Sequence, residues 1–251
     1  MKKRVLMLLL VAAITIGITK NVYAEEAYYI TPNGIELSEN EYTFLTTFFA
    51  PNYVDIMTQD QYDKYVEDDI FNREMTIKTY VEPALPLLGS SMAPRSDTTV
   101  TPGKTLQIGK VCPPTYCIMS LINTWTVEPS TKSWDVIGAY MSGVTYLAHN
   151  FTFVGTNDGS QYFSNLKTAS NGVGNSVDLP DTPGTTPIIN ISFNVSRGGT
   201  VFGSYQHAMN DTTLAVSQNY NFDITGEGNV FDFYGTAVDV YDGMSGVDIS
   251  V

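Results

Sequence analysis

From residue 105 onward, short runs rich in Val, Ile, Tyr, Phe and Thr alternate with breaks of Gly, Asn, Asp and Pro, and charged residues are few. This pattern leaves little room for anything but an all-β fold. Branched and aromatic side chains suit a pleated, half-buried surface, and Gly and Asn accept the φ values of tight turns. The runs predict strands over residues 105–110, 116–127, 134–141, 144–148, 151–154, 188–195, 200–208, 219–225, 230–240 and 247–251. Between them lie turn signals such as Glu128-Pro129-Ser130, Asn157-Asp158-Gly159, Arg197-Gly198-Gly199, Glu227-Gly228-Asn229 and Asp242-Gly243. Short strands at this spacing predict a β-sandwich, with a barrel as the second architecture. Residues 168–187 carry Asn171-Gly172, Pro180-Asp181 and Pro183-Gly184 and read as a long loop, the kind of segment that often carries function.

The front of the chain obeys a different period. Leu37-Ser38-Glu39-Asn40-Glu41-Tyr42 is echoed by Met57-Thr58-Gln59-Asp60-Gln61-Tyr62. Ser38 and Thr58 can each cap a helix, with Glu41 and Gln61 reaching back to the cap's own N–H, which completes two capping boxes. Leu37 with Tyr42 and Met57 with Tyr62 supply hydrophobic staples. The spacing predicts helices over residues 39–49 and 59–66, each with an aromatic face. Met75, Ile77, Thr79 and Val81 then alternate with Thr76, Lys78 and Tyr80 as a strand. Two short helices cannot bury a core alone, so they must pack on each other and on the rest of the chain or a partner.

The fold class expected is therefore α+β: a small N-terminal helical hairpin module, then a mainly antiparallel β-sandwich. Residues 25–88 form the helical module with its short strand, 89–104 a Ser/Thr/Pro linker, and 105–251 the sandwich.

Residues 1–24 read as a secretory signal peptide. Lys2, Lys3 and Arg4 precede an apolar stretch, and Val22-Tyr23-Ala24 ends in a small residue at the cut. The apolar stretch is short of the roughly 20 residues of a spanning helix, and the C-terminal Val247-Asp248-Ile249-Ser250-Val251 shows no second anchor. The expectation is a secreted or cell-surface protein with no stable membrane anchor after cleavage. Cleavage removes four of the 13 Lys and Arg and none of the 26 Asp and Glu, leaving 9 against 26 and a net charge of −17. Such a surface repels nucleic acid and anionic membranes.

Eleven of the acidic residues fall between Glu25 and Asp69, with Lys64 as the single basic residue there. Glu39, Glu41, Asp60 and Asp63 suit the positive ends of the predicted helices. Asp60, Asp63, Glu67, Asp68 and Asp69 lack the spacing and the central Gly of a twelve-residue calcium loop, so no metal ligand set is assigned.

The run Leu106-Gln107-Ile108-Gly109-Lys110-Val111-Cys112, then Cys117, Trp125 and Ser133-Trp134-Asp135-Val136-Ile137-Gly138, resembles a group of uncharacterised secreted proteins of Gram-positive bacteria. Tyr205-Gln206-His207-Ala208, the ending Tyr241-Asp242-Gly243-Met244-Ser245-Gly246-Val247 and the Asn-Gly turn before the first helix belong to the same resemblance. It covers most of the mature chain. It implies secretion from a bacterium and no assigned activity. In that setting the sequons at Asn150, Asn190, Asn194 and Asn210 are ordinary polar residues.

Cys112 and Cys117 are the only cysteines, and outside the cell an even count favours a disulfide. Two residues between them would make a redox motif, but there are four, and His149 and His207 lie too far apart in sequence to read as a zinc set with them. There is no Gly-x-Ser-x-Gly elbow, no His-Glu-x-x-His and no phosphate-cradling loop, so no catalytic residue and no cofactor is assigned. Ser204 and His207, three apart on a strand, point to opposite faces. Asp223, Glu227, Asp232 and Asp239 are candidates for a glycosidase carboxylate pair. Trp125, Trp134, Tyr140, Tyr146, Tyr162, Tyr205, Tyr234 and Tyr241 could stack on sugars, although core packing is the default for aromatics on strands.

The function expected is a non-catalytic extracellular or cell-surface binding protein whose ligand is a glycan, cell wall or protein. The alternatives are a secreted hydrolase acting on polysaccharide or peptide, and a calcium-stabilised structural module. Oligomeric state is not legible.

Overall fold

The computed structural model describes residues 28–81, 103–224, 230–242 and 246–251. The signal segment and all but the last two residues of the predicted linker lie outside them. Strands β1 (Tyr29–Ile30) and β2 (Glu36–Leu37) form a small hairpin closed through Thr31-Pro32-Asn33-Gly34. Helices α1 (Glu39–Phe48), α2 (Tyr53–Ile56) and α3 (Gln59–Glu67) follow, then a 3-10 turn at Ile70–Asn72.

Both capping boxes are formed. Ser38 Oγ accepts from the Glu41 N–H at 3.3 Å while Glu41 Oε2 accepts from the Ser38 N–H at 2.9 Å. Thr58 and Gln61 repeat the exchange at 3.3 and 2.8 Å. The sequence reads residues 53–56 as a connection, but they make one helical turn, α2, whose Tyr53 and Val54 are buried.

Two antiparallel sheets make the sandwich. The six-stranded sheet runs β3 (Met75–Val81), β4 (Lys104–Val111), β5 (Cys117–Trp125), β11, β7, β8 in spatial order. The five-stranded sheet runs β15, β12, β6, β10, β9. In chain order the remaining strands are β6 (Trp134–Ser142), β7 (Tyr146–Thr156), β8 (Gly159–Tyr162), β9 (Leu166–Ala169), β10 (Gly172–Asp178), β11 (Ile188–Val195), β12 (Thr200–Gln206), β13 (Tyr220–Phe222), β14 (Phe231–Phe233) and β15 (Val247–Ser250), with the short helix α4 (Leu214–Ser217) before β13.

Period-two alternation assigns each strand's two faces. Met119 and Leu121 of β5, Ile189, Ile191 and Phe193 of β11, Ile137 and Ala139 of β6, and Val201 and Tyr205 of β12 fill the space between the sheets. Ile118 and Ile122 of β5 and Phe151 and Phe153 of β7 face the other way and meet Phe48, Phe49, Tyr53 and Tyr65 of the helices. The rings of Tyr53 and Phe151 stack at 4.3 Å between centroids. On the far side of the five-stranded sheet, the β13–β14 hairpin and the 3-10 turn Gly235–Ala237 bury Tyr220, Phe231 and Tyr241 against Val136. The chain thus stacks four layers: helices, six strands, five strands and an aromatic C-terminal lobe. Strand β3 pairs with β4 in register Met75↔Val111, so the helical segment and the sandwich share one sheet.

Three expectations need correction. The strands expected over residues 144–148 and 151–154 are one continuous strand, β7. Residues 168–187 are not all loop: they contain β10, which sits between β6 and β9 within the five-stranded sheet. Its glycines hide the strand signal and have a packing cause. A Cβ on Gly172 would lie 2.2 Å from the Phe222 ring, and one on Gly174 would lie 2.5 Å from the Tyr220 hydroxyl. Nor do residues 230–240 form one strand. Pairing stops at Phe233, and Gly235, with φ of 65°, opens a 3-10 turn.

Candidate functional site

Ionisable side chains gather at one end of the inter-sheet space. Lys104 is the first residue of β4, and the alternation Lys104, Leu106, Ile108 puts it on the buried face. Asp135 is the second residue of β6, Tyr205 lies near the end of β12, and His207 follows that strand. Asp242 follows an isolated bridge between Ala208 and Tyr241. Lys104, Asp135, His207 and Asp242 are each 1% exposed or less.

Their contacts form one connected network. Asp242 Oδ2 meets Lys104 Nζ directly, and Asp242 Oδ1 accepts the His207 N–H at 2.8 Å. The Asp242 N–H returns a bond to the His207 carbonyl at 3.0 Å. The Asp135 carboxylate takes the Ala208 N–H at 2.8 Å, His207 Nδ1 at 3.0 Å and the Tyr205 hydroxyl. Trp125 Nε1 donates to the Tyr205 hydroxyl at 3.0 Å. Burial, then the neighbouring Asp135 charge, pushes the Tyr205 phenol well above its ordinary range. Lys104 Nζ lies 5.6 Å from the Trp125 ring centroid and 5.8 Å from that of Tyr205. The cluster is closed to the surface, since all four charged side chains are buried.

An open groove lies beside that end of the sandwich. It has a volume of about 630 Å³ and is lined by Trp134 of β6, Tyr162 of β8, Asn165, Asp178, Asp181 and the β7–β8 turn at Asp158. Tyr162 is 42% exposed. Burial, then the charges of Asp181 and Asp135, raises the Asp178 carboxyl above its ordinary value. The groove thus offers aromatic faces beside carboxylates and amides.

The other sequence candidates are dispersed. Cys112 and Cys117 are bonded, with sulfurs 2.01 Å apart, and close the β4–β5 turn, where Arg197 Nη2 donates to the Cys112 carbonyl at 3.1 Å. In the acidic N-terminal run, Lys64 pairs with Glu67 and Asp68, Arg73 with Asp69, and Gln59 donates to Asp63. Among the described residues no group of three or more His, Cys, Asp or Glu is placed to hold a metal ion. Ser204 Oγ accepts from Gln206 Nε2, whereas the His207 ring faces Asp135. Asp223 and Asp232 sit in the C-terminal hairpin region, Asp239 follows the 3-10 turn, and Glu227 lies outside the described residues. Of the aromatics, Trp125, Tyr205 and Tyr241 are buried, while Trp134 and Tyr162 meet at the groove.

Sequence reasoning missed Lys104, which fell at the end of the predicted linker, and Asp242, which read as a turn residue. The alternation with Leu106 and Ile108 was the available signal for Lys104. Asp178 and Asp181 were hidden in the presumed loop.

No family model matches the chain, and no curated protein matches it. Among solved structures, a pilus backbone protein of Streptococcus pneumoniae is similar over 55% of this chain and 32% of its own length, at 9% identity and a TM-score of 0.29. The chain therefore spans about a third of that protein, and a likeness this slight carries neither fold nor function across. No helix among the described residues is long and apolar enough to cross a membrane.

Proposed function

We propose that this chain is a secreted or cell-surface binding protein that does not turn its ligand over, and that its ligand is a glycan held in the groove beside Trp134 and Tyr162. The carrying observation is that groove. Trp134 and Tyr162 can lie against sugar faces, Asp158, Asp178 and Asp181 can accept hydrogen bonds from hydroxyls, and Asn165 can accept or donate them. The sealed position of Lys104, Asp135, His207 and Asp242 supports the non-catalytic half of the reading, because those charges have no access to a ligand.

The test is retention of labelled mature protein (residues 25–251) on cell-wall preparations and a glycan array. Saturable retention that Tyr162→Ala and Trp134→Ala weaken supports the proposal. Retention indifferent to both substitutions removes the groove from it.

A second reading has one observation in its favour. Asp178, with its raised carboxyl, shares the groove with Asp181, and a carboxyl kept protonated near a second carboxylate is what a hydrolase uses as its general acid. Progressive loss of a polysaccharide, abolished by Asp178→Asn, would replace the binding reading with that one.

A further inference from the structure

We infer that Lys104 and Asp242 condense within the folded protein to an amide, a covalent cross-link between the first sandwich strand β4 and the segment leading to β15. Three observations carry the inference, and none depends on the groove.

Both side chains are fully enclosed and in direct contact, Nζ against Oδ2, so the nucleophile and the carboxyl are held together with no water between them. The bond to be made is simple. Proton transfer within the contact gives a neutral amine and a neutral carboxylic acid. The Nζ lone pair attacks Asp242 Cγ, the Cγ–Oδ2 bond breaks, and Oδ2 leaves as water with its own proton and one from nitrogen. Atoms and electrons balance with no oxidant, reductant or co-reactant.

Asp242 Oδ1 is already bound by the backbone N–H of His207 at 2.8 Å, a donor aimed at the oxygen on which negative charge gathers when Nζ adds. The two-way backbone pairing of Asp242 with His207 fixes that donor in place.

The surroundings favour the product. Two full charges buried together carry a large desolvation cost that attraction offsets only in part. Condensation replaces both with a neutral amide. Trp125 and Tyr205 wall the contact, their ring centroids 5.6 and 5.8 Å from Nζ, and shut it off from water.

The positions in the chain give the link a consequence. Lys104 and Asp242 are 138 residues apart, and the segment between them includes β5 to β14. The bond would close nearly the whole sandwich into one covalent ring.

The test is peptide mapping of the purified mature protein after reduction and denaturation. Trypsin does not cut after an acylated lysine, and residues 198–251 contain no Lys or Arg. The expected product is residues 96–110, uncut after Lys104, joined to residues 198–251 with the loss of one water. Fragmentation should place the junction at Lys104 and Asp242. Whole-protein mass alone is insufficient, because an N-terminal Glu25 can also lose water by cyclising. Lys104→Arg, which keeps the cation but cannot condense in this way, should regain the mass of one water and free the two peptides. Asp242→Asn should still link, releasing ammonia instead. Cleavage after Lys104 in the unsubstituted protein, with both peptides free, overturns the inference and leaves the contact an ion pair.

Discussion

The side-chain amide of Asn190 holds the backbone of Ala50, 140 residues away in the chain: Asn190 Oδ1 accepts the Ala50 N–H at 3.1 Å in a fully buried setting. The same amide donates through Nδ2 to Ser120 Oγ and to the Leu121 carbonyl, both at 3.0 Å. One side chain on β11 therefore joins the helical layer to two strands of the sheet beneath it. Asn190→Ala strands a buried N–H and removes both donations, so stability should fall by about 1–3 kcal/mol per group left unpaired. Urea unfolding checks this, and an unchanged midpoint would mean that water enters to replace the amide.

Asn123 is the opposite case. It lies in the core, paired across the strands with Leu106 and Ile189, and among the described residues neither its amide oxygen nor its nitrogen has a partner. Asn123→Leu should raise stability by about 1–3 kcal/mol, since a buried unsatisfied amide costs that much. Loss of stability in a thermal melt would show that the amide has work the fold conceals.

The C-terminal lobe depends on bare backbone beneath its rings. Gly174→Ala would put a Cβ 2.5 Å from the Tyr220 hydroxyl and 3.1 Å from Phe231. Overpacking of this kind costs about 1–3 kcal/mol. Near-UV circular dichroism should show the Tyr and Phe environment disturbed while the far-UV strand signal persists.

His149 makes the fold sensitive to acid. Burial lowers its pKa below the ordinary 6.5 while Nε2 stays hydrogen-bonded to Thr152 Oγ1 at 2.9 Å. The unfolded chain, with an ordinary histidine, takes a proton that the folded chain refuses. This contribution to stability is therefore full above about pH 6.5 and is lost as pH falls through the folded value. Urea midpoints measured between about pH 7.5 and pH 5 should drop less for His149→Gln than for the unsubstituted protein.

How much of this was legible follows the range of the interaction. Ser38 with Glu41 and Thr58 with Gln61 are three residues apart, and both caps formed as read. The alternation in β5 and β11 assigned core faces for the same local reason. Strand β10 was illegible because Gly172 and Gly174 answer to Phe222 and Tyr220, some fifty residues downstream. The sealed cluster was illegible because Lys104, Asp135, His207 and Asp242 come from four separate segments, and only the sheet topology brings them together. The groove was half legible: Trp134 and Tyr162 were candidates, and Asp178 and Asp181 were not.

The sheet borders bear on how copies of this protein meet. An open row of unpaired strand N–H and C=O groups is a template for another chain to dock on, and long flat borders invite aggregation. Here β8 and β9, at one side of the two sheets, are only four residues each. At the other side the borders are β3 and β15: Lys78 of β3 pairs with Asp248 of β15 at 3.2 Å, and Lys110 of the neighbouring β4 donates through Nζ to the Ser250 carbonyl of β15 at 2.6 Å. Two short borders and two tied together by Lys78 leave a concentrated solution of these chains few places to begin a cross-β stack.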